Sequence, residues 1–447
     1  MQHDPPVIII GAGIAGLSAA EILSQSGIPV LLLEARERIG GRIYTRHDSS
    51  GFPIELGAEF IHGKPSEILK HLKDSDIDEV EGDNWCVADH RLVPCDFFSQ
   101  VESILDAMDD SLPDESFLSF LERKFPNPGN DPALGQAKLR TIQYVSGFNA
   151  ADPSLVSVHW LVAEMRAEEA TEGDRVFRPR NAYTDLLDAF QRQLAARSVA
   201  IHTGKIVESV TWGPDSVEIK VNASGGPSTY SARRVLVTLP VSLLKSSQGE
   251  GAVQFIPPLP TEKLDAIGKL EMGKVIRIVL RFRRRFWEDI SAPGGARKNI
   301  SGLSFLFSED ESFPTWWTAM PRKEPVITGW APFRAGERMS RKDHSQVVQQ
   351  ALRTLSSLLG PSVEILESWL EGAHFHNWQT DPFSRGAYSY AKVGADGAQQ
   401  ALGAPVQDTL FFAGEATDTS GNNGTVHGAI KSGYRAAKEI IDSISRT

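Results

Sequence analysis

Val7-Ile8-Ile9-Ile10-Gly11-Ala12-Gly13-Ile14-Ala15-Gly16 decides the fold of this chain. An apolar run of strand character meets three glycines spaced G-x-G-x-x-G, and a helix-like stretch over 17–25 follows. A second apolar run, Val30-Leu31-Leu32-Leu33, ends in Glu34. Strand, glycine turn, helix, strand and acid are the parts of a dinucleotide-binding βαβ unit, with its carboxylate about twenty residues downstream. Gly11 permits the tight turn, Gly13 lets a pyrophosphate approach the main chain, and Gly16 lets helix and strand pack closely. The diphosphate then lies on free N–H groups at a helix N-terminus, where Ile14 and Ala15 stand, and Glu34 accepts from a ribose diol. A G-x-G-x-x-G alone arises by chance; this context makes it a nucleotide site.

Glu34-Ala35-Arg36-Glu37-Arg38-Ile39-Gly40-Gly41-Arg42 places arginines and a glycine pair just past the second strand. A charged loop with a turn is the bland reading. A main chain bared by Gly40 and Gly41 beside the Arg42 guanidinium suits a second approach to the pyrophosphate. This whole stretch resembles the N-terminal signature of the flavin-containing amine oxidases. That family spans monoamine oxidases, polyamine oxidases, L-amino-acid oxidases and lysine-specific histone demethylases. The resemblance implies FAD rather than NAD, with Ala35 and Arg36 among the contacts.

The far end agrees. Leu410-Phe411-Phe412-Ala413-Gly414-Glu415 reads as a short strand ending in a turn and a carboxylate. Asn422-Asn423-Gly424-Thr425-Val426-His427-Gly428-Ala429 then leads into a helix running to about Ser443. Thr425 is placed to cap that helix, leaving amides such as that of Val426 free to donate. A helix N-terminus aimed at a reduced flavin would stabilise negative charge there. An ordinary C-terminal αβ unit is the competing reading. The fold expected is α/β: a two-domain flavoprotein with a discontinuous Rossmann-like FAD domain (1–70, 200–255 and 380–447). The remainder (71–199 and 256–379) makes an α+β substrate domain of mixed sheet plus helices. Residues 71–199 read as helical, with breaks at 126–130 and 152–153, and strands dominate from 199.

With 447 residues, more than one core is expected. A net charge of −11 disfavours nucleic acid and mildly favours cationic substrates. Cys86 and Cys95, the only cysteines, read as reduced structural thiols. No signal peptide precedes the first strand and no apolar run spans a bilayer, so a cytoplasmic monomer or homodimer without membrane contact is expected.

Glu55-Leu56-Gly57-Ala58-Glu59-Phe60-Ile61-His62-Gly63 is the most discriminating marker. Gly57 and Ala58 offer close approach to the flavin, and Glu59 and Phe60 are counted with the cofactor contacts, as is Val207. A lone histidine is usually a satisfied polar residue. The His62-Gly63 pair, however, resembles that of polyamine oxidases and histone demethylases, which implies contact between His62 and an amine. His374 and His376 suggest a metal, but with no third ligand nearby an alternating strand is the better reading, and no metal is expected. Trp378 and Tyr388 match the family's flavin-flanking aromatics, against the reading of plain core aromatics. Ala387 stands where monoamine oxidases carry the cysteine that bonds the flavin, so FAD is expected to be noncovalent. The second cage aromatic maps onto Thr425.

On the apolar stretch Val275-Ile276-Arg277-Ile278-Val279-Leu280 a charge must find a partner or a cavity. The family's lysine, which holds water against flavin N5, aligns with Arg277 rather than Lys274; Lys274 reads as solvated. Arginine does not deprotonate and presents a fork, which puts oxygen reactivity in doubt. Glu164, Glu168, Glu169, Glu172 and Asp174 read first as a solvated helix face and second as an entrance drawing polycations. Phe177-Arg178-Pro179-Arg180-Asn181-Ala182-Tyr183 replaces a glycine-rich turn of the family. The expected activity is FAD-dependent amine oxidation with O2 as acceptor, on a polyamine or aliphatic amine. Alternatives are a same-fold dehydrogenase, a desaturase of a non-amine metabolite, and a scaffold docking a peptide tail.

Overall fold

The structure, a computed structural model, describes residues 5–446 except 89–90, 127–130, 174 and 291–298. The opening motif forms what its pattern dictates. Val7–Ile10 is the middle strand of a five-stranded parallel sheet, ordered Ala200–His202, Val30–Leu33, Val7–Ile10, Val235–Val237 and Leu410–Phe412. Val7 and Ile9 enter one core and Ile8 and Ile10 another, so the strand is buried on both faces and reads as a continuous apolar run. The helices Ile14–Gln25 and Val426–Ser445 pack on each other across one face, bringing the two ends of the chain together, and Thr184–Ala196 packs on Ile14–Gln25.

A four-stranded sheet follows the order Ser228–Ala232, Ser216–Asn222, Ile206–Gly213 and Gln254–Ile256. Ser216–Asn222 alternates exposed and buried residues without a break, the signature of a sheet covered on one face. Across the molecule lies a seven-stranded mixed sheet: Leu370–His374, Val275–Phe282, Val326–Pro332, Thr315–Thr318, Leu303–Phe307, Asp83–Ala88 and Arg91–Pro94. Ile276, Ile278 and Leu280 pack beneath His344–Leu359 in one cluster. Arg277 and Val279 face the other way, toward Ile54, Gly57 and Glu59.

The helical reading of 71–199 needs correction. Ile77–Glu79, Asp83–Ala88, Arg91–Pro94 and Val176–Pro179 are strands. Asp83–Ala88 pairs in parallel with Leu303–Phe307, a partner more than two hundred residues away, so no local period announces it. The hairpin it forms with Arg91–Pro94 also overturns the reading of free thiols. Cys86 and Cys95 are disulfide-bonded with Cα atoms 5.2 Å apart. The aromatic stretch is corrected too: Leu370–His374 is a strand, but His376 lies in an irregular segment past its end and Trp378 in the turn that follows, before Ser389–Ala391. Among the described residues no helix is long and apolar enough to cross a membrane.

Candidate active site

At the first glycine turn Gly11 has φ +102° and a Cβ on Gly16 would stand 2.1 Å from the Gly11 carbonyl oxygen. Only glycine permits that approach of helix to strand. Glu34 is buried at the end of its strand and accepts from the Ala12 amide at 2.8 Å and the Arg36 amide at 2.9 Å. Gly40 and Gly41 fold back over the same turn: the Gly40 amide donates to the Ala12 carbonyl at 2.8 Å, and Gly13 bridges Gly40. The glycine pair therefore serves packing as well as ligand approach. The Arg36 guanidinium turns to Asp381 at 2.6 Å. Val207 points its side chain into the core and pairs with Val221 in the four-stranded sheet. A cavity between the two ends of the chain is lined by Arg42, Thr238, Leu239, Gly414, Glu415 and Thr417. Thr238, which donates to the Ile10 carbonyl at 2.8 Å, was not singled out by sequence reading. Glu415 accepts from Arg42 at 2.9 Å, the Ser389 hydroxyl at 2.6 Å and the Gly424 amide at 3.0 Å. One carboxylate thus ties three distant segments together.

Gly57 leaves no room for a side chain, since a Cβ there would lie 1.9 Å from the Arg42 carbonyl oxygen. The Ala58 amide donates to that carbonyl at 3.2 Å. Trp378 backs this loop, its indole N–H donating to the Leu56 carbonyl at 2.8 Å and its ring edge-on to His376 at 4.3 Å. It is nearly fully buried and supports the loop from behind. Arg277 donates to the Gly57 carbonyl at 2.8 Å and pairs with Glu59 at 2.5 Å. Glu59 also takes Arg178 at 2.8 Å and the Trp317 indole at 2.9 Å. Burial alone would raise the Glu59 pKa, but Arg277 and Arg178 hold it below the usual carboxylate range. The charge on the central strand has found its partner in the motif that sequence reading assigned to the cofactor. Lys274 makes a half-exposed ion pair with Glu337. The turn that lacks the family's glycines keeps a left-handed residue, Ala182 at φ +72°.

The acidic helix is not simply a solvated face. On Val158–Ala170, Glu169 is exposed while Glu164 and Glu168, one turn apart, are half-buried; Glu172 beyond it is exposed and Asp174 lies outside the described residues. The i, i+4 spacing sets them on one face, but Glu172 continues that row and is exposed, so spacing alone does not single them out. Glu164 accepts from the Asn149 side chain at 2.5 Å, and Glu168 lies 3.7 Å from His62. Burial, with Glu168 adding repulsion, pushes Glu164 up to about 8, whereas burial lowers the His62 pKa. Tyr388 donates its hydroxyl to the Phe148 carbonyl and packs its ring against Gly424, next to Thr425. Thr425 caps Val426–Ser445, accepting from the Gly428 amide at 3.0 Å and leaving the Val426 amide outward. His427, also missed as a site residue, is held down to about 3 by burial and by His62. A chain of ring contacts completes the wall: Tyr144–Phe148 at 5.1 Å, Phe60–Trp317 at 5.5 Å and Trp317–Trp330 at 5.6 Å.

The family model of the flavin containing amine oxidoreductases matches residues 14–441. The chain belongs to this family. It is 29% identical to Polyamine oxidase 2 of Arabidopsis thaliana over 98% of this chain and 88% of that protein. It is also 29% identical to Lysine-specific histone demethylase 2 of Homo sapiens, over 98% of this chain and 53% of that protein. The chain therefore spans about half of that relative's length, and only 30% of Lysine-specific histone demethylase 1 homolog 3 of Arabidopsis thaliana. The fold is that of putrescine oxidase bound to putrescine (TM-score 0.79, 19% identity, 98% and 99% of the two chains). Cyclohexylamine oxidase from Brevibacterium oxydans IH-35A shares it too (TM-score 0.77, 19% identity, 99% and 100% of the chains). As a family member the chain fits FAD: the turn at Gly11–Gly16 and the loop at Gly57 are cradles a Cβ would fill, and Glu34 stands where a ribose needs an acceptor. Ala387 leaves no thiol for a covalent flavin bond at that position.

Proposed function

We propose that this protein oxidises an aliphatic amine carrying a second positive charge, a diamine or polyamine. The single observation carrying the reading is the Glu164–Glu168 pair, set one turn apart beside Tyr388 and His62 in an aromatic-walled site. FAD, when bound, would supply the hydride acceptor for the amine α-carbon, with dioxygen as the expected final acceptor. The protein's own residues do the rest. Apolar walls penalise an ammonium, so the reacting nitrogen enters as the free base. Glu164 and Glu168 take the remote ammonium, and its arrival favours ionisation of Glu164. His62, which burial keeps neutral near pH 7, is free to hydrogen-bond the reacting nitrogen. Tyr388, fixed by its bond to Phe148, holds the substrate's position. Orientation of this kind is worth roughly 7–11 kcal/mol of barrier.

Anaerobic flavin bleaching and peroxide release against putrescine, spermidine, spermine and monoamines test the reading. Glu164→Gln is expected to raise KM for diamines by about 10–100-fold, the equivalent of roughly 1.4–2.7 kcal/mol, and to leave monoamines of equal length little changed. Turnover confined to aryl monoamines ends it. A second reading, a dehydrogenase passing electrons to a carrier, is favoured by one observation. Arg277 is tied to Glu59 and Gly57 where the family commonly has a free lysine. Arg277→Lys is then expected to speed flavin reoxidation in stopped flow by tenfold or more; an unchanged rate removes Arg277 as the brake on oxygen.

A further inference from the structure

Behind the Arg277–Glu59 pair lies a crevice that the amine chemistry does not use. It runs between Pro53–Glu55 and the face of the seven-stranded sheet that carries Arg277 and Thr328, and Arg178 and Arg322 also line it. Three guanidinium groups meet there. Those of Arg178 and Arg277 share one carboxylate, Glu59. Among the described residues Arg322 pairs with no carboxylate: it donates to the Arg180 carbonyl at 3.0 Å and stacks over Phe52 at 5.5 Å. Arg277 lines this crevice and is 7% exposed, and its buried Nε–H finds no hydrogen-bond partner among the described residues. A buried charged donor left unmade is costly, so something absent from the protein is expected to satisfy it.

The remaining acid is Glu55, which accepts from the Tyr183 amide at 2.7 Å and the Thr45 hydroxyl at 2.8 Å. Burial pushes its carboxyl up to about 7; the Tyr183 amide, Thr45 and Arg277 oppose that shift and Glu59 adds to it. With Glu55 protonated, three positive groups face a single negative one. The geometry points to a binding site for a small monovalent anion, of carboxylate or halide size, in the crevice that Arg277 and Arg322 line together. The anion competes with ionised Glu55 for the same positive field, so occupancy and Glu55 protonation support each other. The site lies outside the amine cavity and stands whether or not the substrate is a diamine.

Isothermal titration calorimetry of the FAD-loaded protein with sodium formate at constant ionic strength tests this. One saturable site is expected, about tenfold weaker at pH 8 than at pH 6, because binding needs the Glu55 proton. Arg322→Gln, a variant outside the amine cavity, is expected to abolish the heat while the flavin spectrum stays unchanged. Glu55→Gln keeps an uncharged side chain at every pH and is expected to bind equally at pH 6 and pH 8. No saturable heat at either pH, or unchanged binding in Arg322→Gln, overturns the anion site and leaves water as the partner of Arg277. PH dependence that persists in Glu55→Gln overturns the linkage to Glu55.

Discussion

At the scale of single residues, two positions carry groups that their surroundings must accommodate. Arg277 stands in a strand whose other residues are apolar, and only a carboxylate from a distant loop makes that tolerable. Ala182 is the reverse case. Here a residue with a Cβ holds a left-handed turn at φ +72°, a conformation that only glycine adopts without strain. Its conformation is fixed by neighbours on both sides: the Ala182 amide donates to the Pro179 carbonyl at 3.2 Å and the Tyr183 amide to Glu55 at 2.7 Å. Ala182→Gly is expected to stabilise the protein by about 1 kcal/mol, less the entropy that glycine adds to the unfolded chain. Urea denaturation at pH 7 reads this; a destabilised variant means the turn carries no strain.

At the scale of elements, helix starts carry a local signal, read in the sequence at Thr425 and repeated by the structure at other helices. Asp96, Asp131, Ser157, Asp343, Ser362 and Thr425 each accept from an amide of the helix they open. A short polar side chain before an apolar period is a local signal, independent of tertiary context. What an element turns toward the site was not legible in this way. On Val158–Ala170 the inward pair is separated from the outward acids only by what packs opposite, namely His62, Asn149 and Tyr388. The same helix start carries His159, whose ring nitrogens face Asp396 at 3.0 Å and the Leu112 carbonyl at 2.7 Å. Burial would lower its pKa, but the Leu112 carbonyl, Asp396 and Asp114 outweigh that and raise it above the ordinary 6.5. A raised imidazole pKa gives stability that is fully present below the ordinary value and lost as pH rises through the folded one. His159→Gln is expected to cost about 1 kcal/mol at pH 5.5 and much less at pH 9. Equal losses at both pH values in thermal melts exclude a charged His159.

At the scale of the whole molecule, the site exists because chain ends 400 residues apart are closed onto one sheet. The Ile14–Gln25 and Val426–Ser445 helices make that closure, and Glu415 locks it by holding Arg42, Ser389 and Gly424 at once. Glu415→Gln puts a donor among donors and leaves Arg42 without its counter-ion. The expected cost is about 3 kcal/mol, with FAD lost on dialysis while the seven-stranded sheet, far from this carboxylate, keeps its far-UV signature. Retention of FAD at wild-type affinity denies Glu415 this role.

By itself the sequence determined the nucleotide cradle and its cofactor class. Glycine spacing, strand runs and helix caps act over a few residues and carry their physics with them. The anatomy of Gly11–Gly16, of Glu34 and of Thr425 followed from that. The tertiary structure alone decided which charges meet: Glu59 with Arg277 and Arg178, Glu168 with His62, and the Cys86–Cys95 pair across a hairpin placed by a remote strand. Burial and Coulomb interaction depend on distance in space. Groups more than a hundred positions apart along the chain set one another's ionisation only after the fold has brought them together.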